Sequence, residues 1–191
     1  MSLDSLYSFV YRGILADASL DKVGRQRSRH LGLEERERLG KALSLELLDH
    51  DMLVDAQRMA IVYTSIHAFE NIVRQLVMKA MAEAHGATWW EKVPERIRKK
   101  VQTRMDEEAK FRWHGARGSS EINYCDFGDL SSVIVTNWPV FEGLLANMEW
   151  AKQLLDTLEK SRNIVMHGGA LQNEDIERIG MNIRDWVRQV G

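Results

Sequence analysis

Apolar residues recur about one helical turn apart over most of the chain, and each stretch in which they do so predicts a helix. Residues 3–16 carry Leu3, Leu6, Phe9, Val10 and Ile14 at that spacing, which predicts a short amphipathic helix before Asp17. A polar stretch follows with Lys22, Arg25, Arg27, Arg29 and His30, and reads as a solvated basic linker. Residues 33–48 set Leu39, Leu43 and Leu47 four apart among Glu, Arg and Lys and predict a second helix. The longest signal spans residues 56–84. There Ile61, Ser65, Ala68, Phe69, Ile72, Leu76 and Ala80 form one stripe, and Val62, Ile66, Val73 and Val77 broaden it. A stripe that wide needs cover over much of the circumference, so this is the expected central helix, closed by Gly86 as a C-terminal glycine.

Beyond Trp89 and Trp90, Pro94 stands at a plausible first helical position for a basic helix that continues toward Lys110. Residues 115–120 read as a loop. Over residues 126–137 the β-branched run Val133, Ile134, Val135 and Thr136 admits a short buried strand, but no second strand is evident, and a short helix is expected. Asn147 is placed to cap a helix with Met148, Ala151, Leu155 and Leu158 on one face, ending at His167-Gly168-Gly169. Asn173 is expected to cap the last helix, which sets Ile176, Ile179, Ile183, Trp186, Val187 and Val190 against Arg178, Arg184, Asp185 and Arg188. No internal repeat interrupts this order. The expected division is an N-terminal helical segment, residues 1–55, packing on a bundle formed by residues 56–191.

Composition narrows the class. Only Pro94 and Pro139 break stretches rich in Glu, Lys, Arg, Leu, Met and Ala, so the fold class is all-α. With 45% hydrophobic and 28% charged residues the chain can bury a core and keep a charged surface. The formal charge of −2 gives no global basic field, so any nucleic-acid site must be local. The single cysteine, Cys125, excludes an intrachain disulfide and reads as a buried structural thiol. No signal segment opens the chain and no apolar run approaches the ~20 residues that cross a bilayer, so the expected location is cytoplasmic with no membrane partner.

The six histidines stand in no HExxH or CxxC ligand spacing, and no phosphate loop or nucleophile turn is present, so neither a metal nor a cofactor is expected. What remains is Ser161 to Gly169 at the end of the penultimate helix. At 3.6 residues per turn Asn163 and His167 stack on one face, and Arg162 beside them continues the stripe Ala151, Leu155, Leu158. A guanidinium on an otherwise buried face needs a partner or a phosphate. Its planar fork suits a phosphodiester, and histidine can transfer a proton near neutrality. Such groups suffice to cleave RNA without a metal. The same residues also fit a Glu159–Arg162 surface pair with a histidine at a helix end, which is ordinary architecture. A second Arg-x4-His, Arg25 to His30, lies in the polar linker and reads as chance.

From about residue 56 to residue 190 the chain resembles a HEPN domain, a helical bundle with an Arg-x4–6-His motif near the end of its penultimate core helix; Arg162, Asn163 and His167 match that motif. Ala68-Phe69-Glu70-Asn71-Ile72-Val73-Arg74, the Trp89-Trp90 pair before Val93-Pro94, and Asp126-Phe127-Gly128-Asp129-Leu130 with Asn137-Trp138 resemble the subgroup associated with PIN-type ribonucleases and prokaryotic defence proteins. The resemblance implies a metal-independent endoribonuclease of toxin or defence type, or a catalytically silent relative that binds RNA, a nucleotide or a partner. It also implies a homodimer whose two motifs share one cleft, with catalytic Arg162, Asn163 and His167, and an antitoxin or defence protein as a further partner. For the RNA, single-stranded or a tRNA loop, Lys99, Lys100, Arg104 and Arg112 are candidate backbone contacts and Trp113 a stacking platform. A solvated helix face interrupted by Glu95, Asp106, Glu107 and Glu108 fits the same residues.

Overall fold

The computed structural model describes Ser19, residues 31–111 and residues 113–190. The helix expected over residues 3–16, the basic linker through His30, and Arg112 lie outside the described residues. Two compact units divide between Asp49 and His50.

In the first unit, α1 (Leu33–Ala42) is followed by a 3-10 turn, Leu45–Leu47. The unbroken helix expected over residues 33–48 is interrupted by Ser44, which takes a left-handed conformation at φ 52°, costly for an L residue with a side chain. Neither element buries a residue, and Leu39, Leu43 and Leu47 are exposed. Leucines four apart specify a helical face, yet they do not make it continuous.

The second unit runs α2 (His50–His85), a 3-10 segment (Gly86–Lys92), α3 (Glu95–Glu108), a 3-10 turn (Glu121–Tyr124), α4 (Phe127–Thr136), α5 (Trp138–Phe141), α6 (Met148–Met166) and α7 (Asn173–Val190). No strand occurs among the described residues. α2 is the central helix, but its buried face is Met59, Val62, Ile66, Phe69, Val73, Val77, Ala80 and Met81, with Glu70 buried beside them. The stripe expected through Ile61, Ser65, Ala68 and Ile72 is exposed instead, with Ile61 at 73%. Val62, Ile66, Val73 and Val77 are therefore the centre of the core-facing stripe and not its edge.

α4 lies along α6 and both rest on α2. Phe127, Leu130, Val133 and Ile134 meet Ala151, Leu154, Leu155 and Leu158 in one core, where each buried large side chain stabilises by roughly 1.5–3 kcal/mol. Trp186 of α7 closes it, fully buried, with its ring stacked at 6.0 Å on Trp150 and edge-on at 5.5 Å to Phe69.

The caps explain the boundaries. Asp126 and Asp129 form a capping box, with Asp129 N donating to Asp126 Oδ1 at 3.0 Å and Asp126 N to Asp129 Oδ2 at 3.3 Å. That box and an apolar face make a helix of the β-branched run, whose intrinsic preference differs by only about 0.5 kcal/mol per residue. Asn147 Oδ1 accepts from Trp150 N at 3.0 Å, as a cap should. Asn173 does not cap α7 as expected: it is the first helical residue, and its Oδ1 accepts from Arg58 Nη2 of α2 at 2.6 Å. Its side chain ties two helices together.

Candidate functional site

α6 ends at Met166, with His167 as its C-terminal cap. Gly168 follows at φ +78°, its N–H donating to Val165 O at 3.1 Å, while Gly169 N donates to Ile164 O at 2.8 Å. This pair of bonds is a Schellman motif, and it satisfies carbonyls that the helix end would otherwise orphan. Gly169 is held close as well, since a Cβ there would meet the Ile164 carbonyl oxygen at 2.9 Å. The turn therefore fixes where His167 leaves the helix.

Arg162 lies one turn earlier and is half-buried, with Asn163 and His167 both exposed. Its Nη2 donates to Asn163 Oδ1 at 3.0 Å, while Nε is buried with no hydrogen-bond partner among the described residues. Glu159 forms no ion pair with Arg162 within 4.0 Å among the described residues, so the surface-pair reading of this turn does not hold. Burial pushes the Glu159 carboxyl up, with the Asp126 charge adding to the rise and Arg162 opposing it.

Arg162 faces an open cavity of 510 Å³. α2 contributes His67, Glu70, Asn71 and Arg74, α3 contributes Arg104, and the segment before α4 contributes Arg117, Asn123, Tyr124, Cys125 and Asp126. Asn163 and His167 do not line it. The structure thus places Arg162 on one surface and His167 at the helix end beside it, and brings in His67 and Glu70, which the Arg-x4-His spacing did not reveal. The available signal was Glu70, Asn71 and Arg74 interrupting the apolar pattern of the expected central helix.

Four arginines and two carboxylates line the cavity, an excess of positive charge. Arg74 meets Glu70 at 3.3 Å and donates to the carbonyls of Ile122 at 3.1 Å and Cys125 at 3.0 Å. Arg104 grips Asp126 at 2.7 Å and Asp129 at 2.9 Å. Arg117 lies 3.7 Å from Glu108 and over the Tyr124 ring at 5.8 Å. Among these four only Arg162 has no carboxylate within 4.0 Å among the described residues.

Burial raises the Glu70 carboxyl above its ordinary range despite the opposing fields of Arg74 and Arg162. Asp126 is shifted the other way. Burial acts to raise it too, but hydrogen bonds from Arg104 and Asp129, with the Lys100 charge, hold it well below the carboxylate range. The Cys125 thiol is buried and pushed up to about 12, chiefly by burial and then by the Asp129 and Asp126 charges, which suits a structural thiol and not a nucleophile.

The residues expected to guide RNA separate into two groups. Lys99 pairs with Glu95 at 2.8 Å on the exposed face of α3. Lys100 is engaged by Asp129 at 2.8 Å and Asp126 at 3.2 Å, so it and Arg104 spend their charge on the capping box of α4. Trp113, by contrast, is 82% exposed, in edge-on contact with Phe111 and His114, and shares a second, more apolar pocket with Arg104 and Arg117. Among the described residues no group of three or more His, Cys, Asp or Glu is placed to hold a metal ion, and no helix is long and apolar enough to cross a membrane.

A family model described as Swt1-like HEPN matches residues 65–191, which includes every residue lining the Arg162 cavity. No curated protein and no solved structure matches the chain.

Proposed function

The chain belongs to the Swt1-like HEPN family, and from that membership we propose that it is a metal-independent endoribonuclease of toxin or defence type. The observation that carries the reading is Arg162, a half-buried guanidinium with an unsatisfied Nε and no carboxylate partner among the described residues, facing a cavity with an excess of arginine. A phosphodiester supplies the anion such a group lacks. In the reaction a 2′-oxygen loses its proton and bonds to phosphorus, the bond to the 5′-oxygen breaks, and that oxygen takes up a proton. The products are a 2′,3′-cyclic phosphate and a 5′-hydroxyl. Arg162 steadies the charge building on the phosphoryl oxygens, Asn163 holds its guanidinium, and His167 transfers a proton.

One His167 per chain serves one proton transfer, and a homodimer with the motif at its twofold axis supplies a second. Ile164 and Met166, exposed at 44% and 58% on the turn that carries the motif, offer apolar surface for that contact. Exposure of Trp113 favours single-stranded RNA or a tRNA loop, whose unstacked bases can lie on an aromatic face. A second reading, a silent module that binds RNA without cutting it and answers to an antitoxin or defence partner, is favoured by the exclusion of His167 from the Arg162 cavity. Incubation of the protein with total RNA in EDTA, beside His167→Ala, separates the two. The nuclease reading expects cleavage to 2′,3′-cyclic phosphate ends that His167→Ala slows by about 10²–10⁴-fold. RNA bound but uncut by the wild type would leave the silent module.

A further inference from the structure

The ring of His67 is held in place by neighbours on its own helix. Asn71 Nδ2 donates to the His67 carbonyl oxygen at 3.0 Å and lies 3.2 Å from His67 Nε2. Arg74 fixes which way the Asn71 amide faces, because its Nη1 donates to Asn71 Oδ1. A guanidinium has only donors, so the amide atom turned toward it is the oxygen and the one turned toward His67 is the NH2. In a neutral ring Nε2 of His67 therefore accepts, and the proton resides on Nδ1. Tyr63 stacks on the same ring at 5.6 Å, with an interplanar angle of 27°. Arg74 is itself anchored by two backbone carbonyls and Glu70. The relay from Arg74 through Asn71 thus ends in the ring of His67, which lines the same cavity as Arg162.

We propose that this cavity holds one phosphate of an RNA backbone between two donors, the guanidinium of Arg162 and the Nδ1–H of His67. His67 is then a phosphate-binding residue that the Arg-x4-His motif does not contain, and Asn71 and Arg74 are positioning residues that set its tautomer. The inference rests on the reading of the Arg162 cavity as the place where RNA is cut. A ring whose Nε2 already accepts from Asn71 is suited to donate a hydrogen bond to a non-bridging oxygen and not to carry a proton between atoms. The proton transfers remain with the motif histidine. Two donors of different shape and reach also orient the phosphate, which a lone guanidinium at the edge of an open cavity does not.

The test is nitrogen NMR of protein labelled in its histidine rings, with His67 assigned from His67→Gln. In the free protein the His67 proton is expected on Nδ1, and Asn71→Leu is expected to mix the two tautomers. An oligonucleotide methylated at its 2′-oxygens, which cannot start the reaction, should move the His67 signal in the wild type and leave it unmoved in Arg162→Ala. In parallel, His67→Ala should cut RNA about 10²-fold more slowly, the cost of losing one preorganised donor. A His67 signal that ignores the oligonucleotide, or a His67→Ala variant that cuts at the wild-type rate, overturns the proposal. A wild type that moves the signal and cuts no RNA removes the nuclease reading and leaves the phosphate site standing. Cleavage with an unmoved His67 does the reverse.

Discussion

Arg104 and Arg162 line the same cavity, and their surroundings are opposite. Arg104 grips Asp126 and Asp129, two carboxylates that start α4, and also donates to the Tyr124 carbonyl. Burial opposes its charge, and the hydrogen bond and charge of Asp126 outweigh that opposition. Among the described residues Arg162 has one amide oxygen, that of Asn163, and a buried Nε without a partner. A matched arginine belongs to the fold. An arginine left unmatched in a half-buried position sacrifices stability, and the natural return for that cost is an anion that arrives with the substrate.

Exchanging the two residues' fates would break the comparison. Arg104→Ala strands Asp129, only 4% exposed, with Lys100 as its remaining cation, and should lower unfolding stability by about 3 kcal/mol in a denaturant titration. Arg162→Ala should leave that midpoint within about 0.5 kcal/mol of wild type, because no ion pair among the described residues is lost. A stability loss at Arg162 equal to that at Arg104 would make both structural.

The wall behind Arg104 can be probed through Cys125. Its thiol has an ordinary value of 9.0 and is pushed up to about 12 in the folded chain, so the folded state retains the proton more tightly than the unfolded one. That contribution is fully present below pH 9 and is lost as the pH rises from 9 toward 12. Stability measured across that window should fall, and Cys125→Ala should flatten the fall. At neutral pH a thiol reagent should modify Cys125 only after denaturant opens the chain, and rapid labelling of the native protein would contradict the burial.

Smaller effects are expected at the turn beside Arg162. Gly168→Ala places a side chain at φ +78° and should cost about 1 kcal/mol, read as a lowered thermal midpoint. Smallest of all, Arg25→Ala and His30→Ala should leave RNA cleavage unchanged, since that copy of the spacing falls on no amphipathic pattern.

Much of this was legible in the sequence. Local chemistry marked the helix boundaries well: Asn147 and the His167-Gly168-Gly169 end act through bonds made within a few residues, and Gly86 takes the left-handed conformation at φ 65° just past α2. Arg162 stood out because it continues a stripe, Ala151, Leu155 and Leu158, whose members are all buried. The choice of face on α2 was not legible. Ile61, Ala68 and Ile72 have the same periodicity as Val62, Ile66, Phe69 and Val73, and only the surfaces of α4, α6 and α7 decide between them. His67, Asn71 and Arg74 flank the chosen face, so their convergence on Arg162 could not be read before that choice was made. Lys100 and Arg104 show the same limit, since their carboxylates lie 22 to 29 residues away along the chain. Asn173 carries a residue type suited to capping but is occupied by Arg58, 115 residues distant.

On this reading Arg162 goes unmatched among the described residues because RNA matches it. The most direct measurement is the single-turnover rate of RNA cleavage in EDTA by wild type, Arg162→Lys and Arg162→Ala, each first shown to be folded. Wild type should cleave, Arg162→Ala should lose about 10²–10³-fold, and Arg162→Lys, which retains the charge without the two-pronged grip, should recover little. Equal rates for all three folded proteins, or wild-type cleavage that EDTA abolishes and magnesium restores, would contradict it.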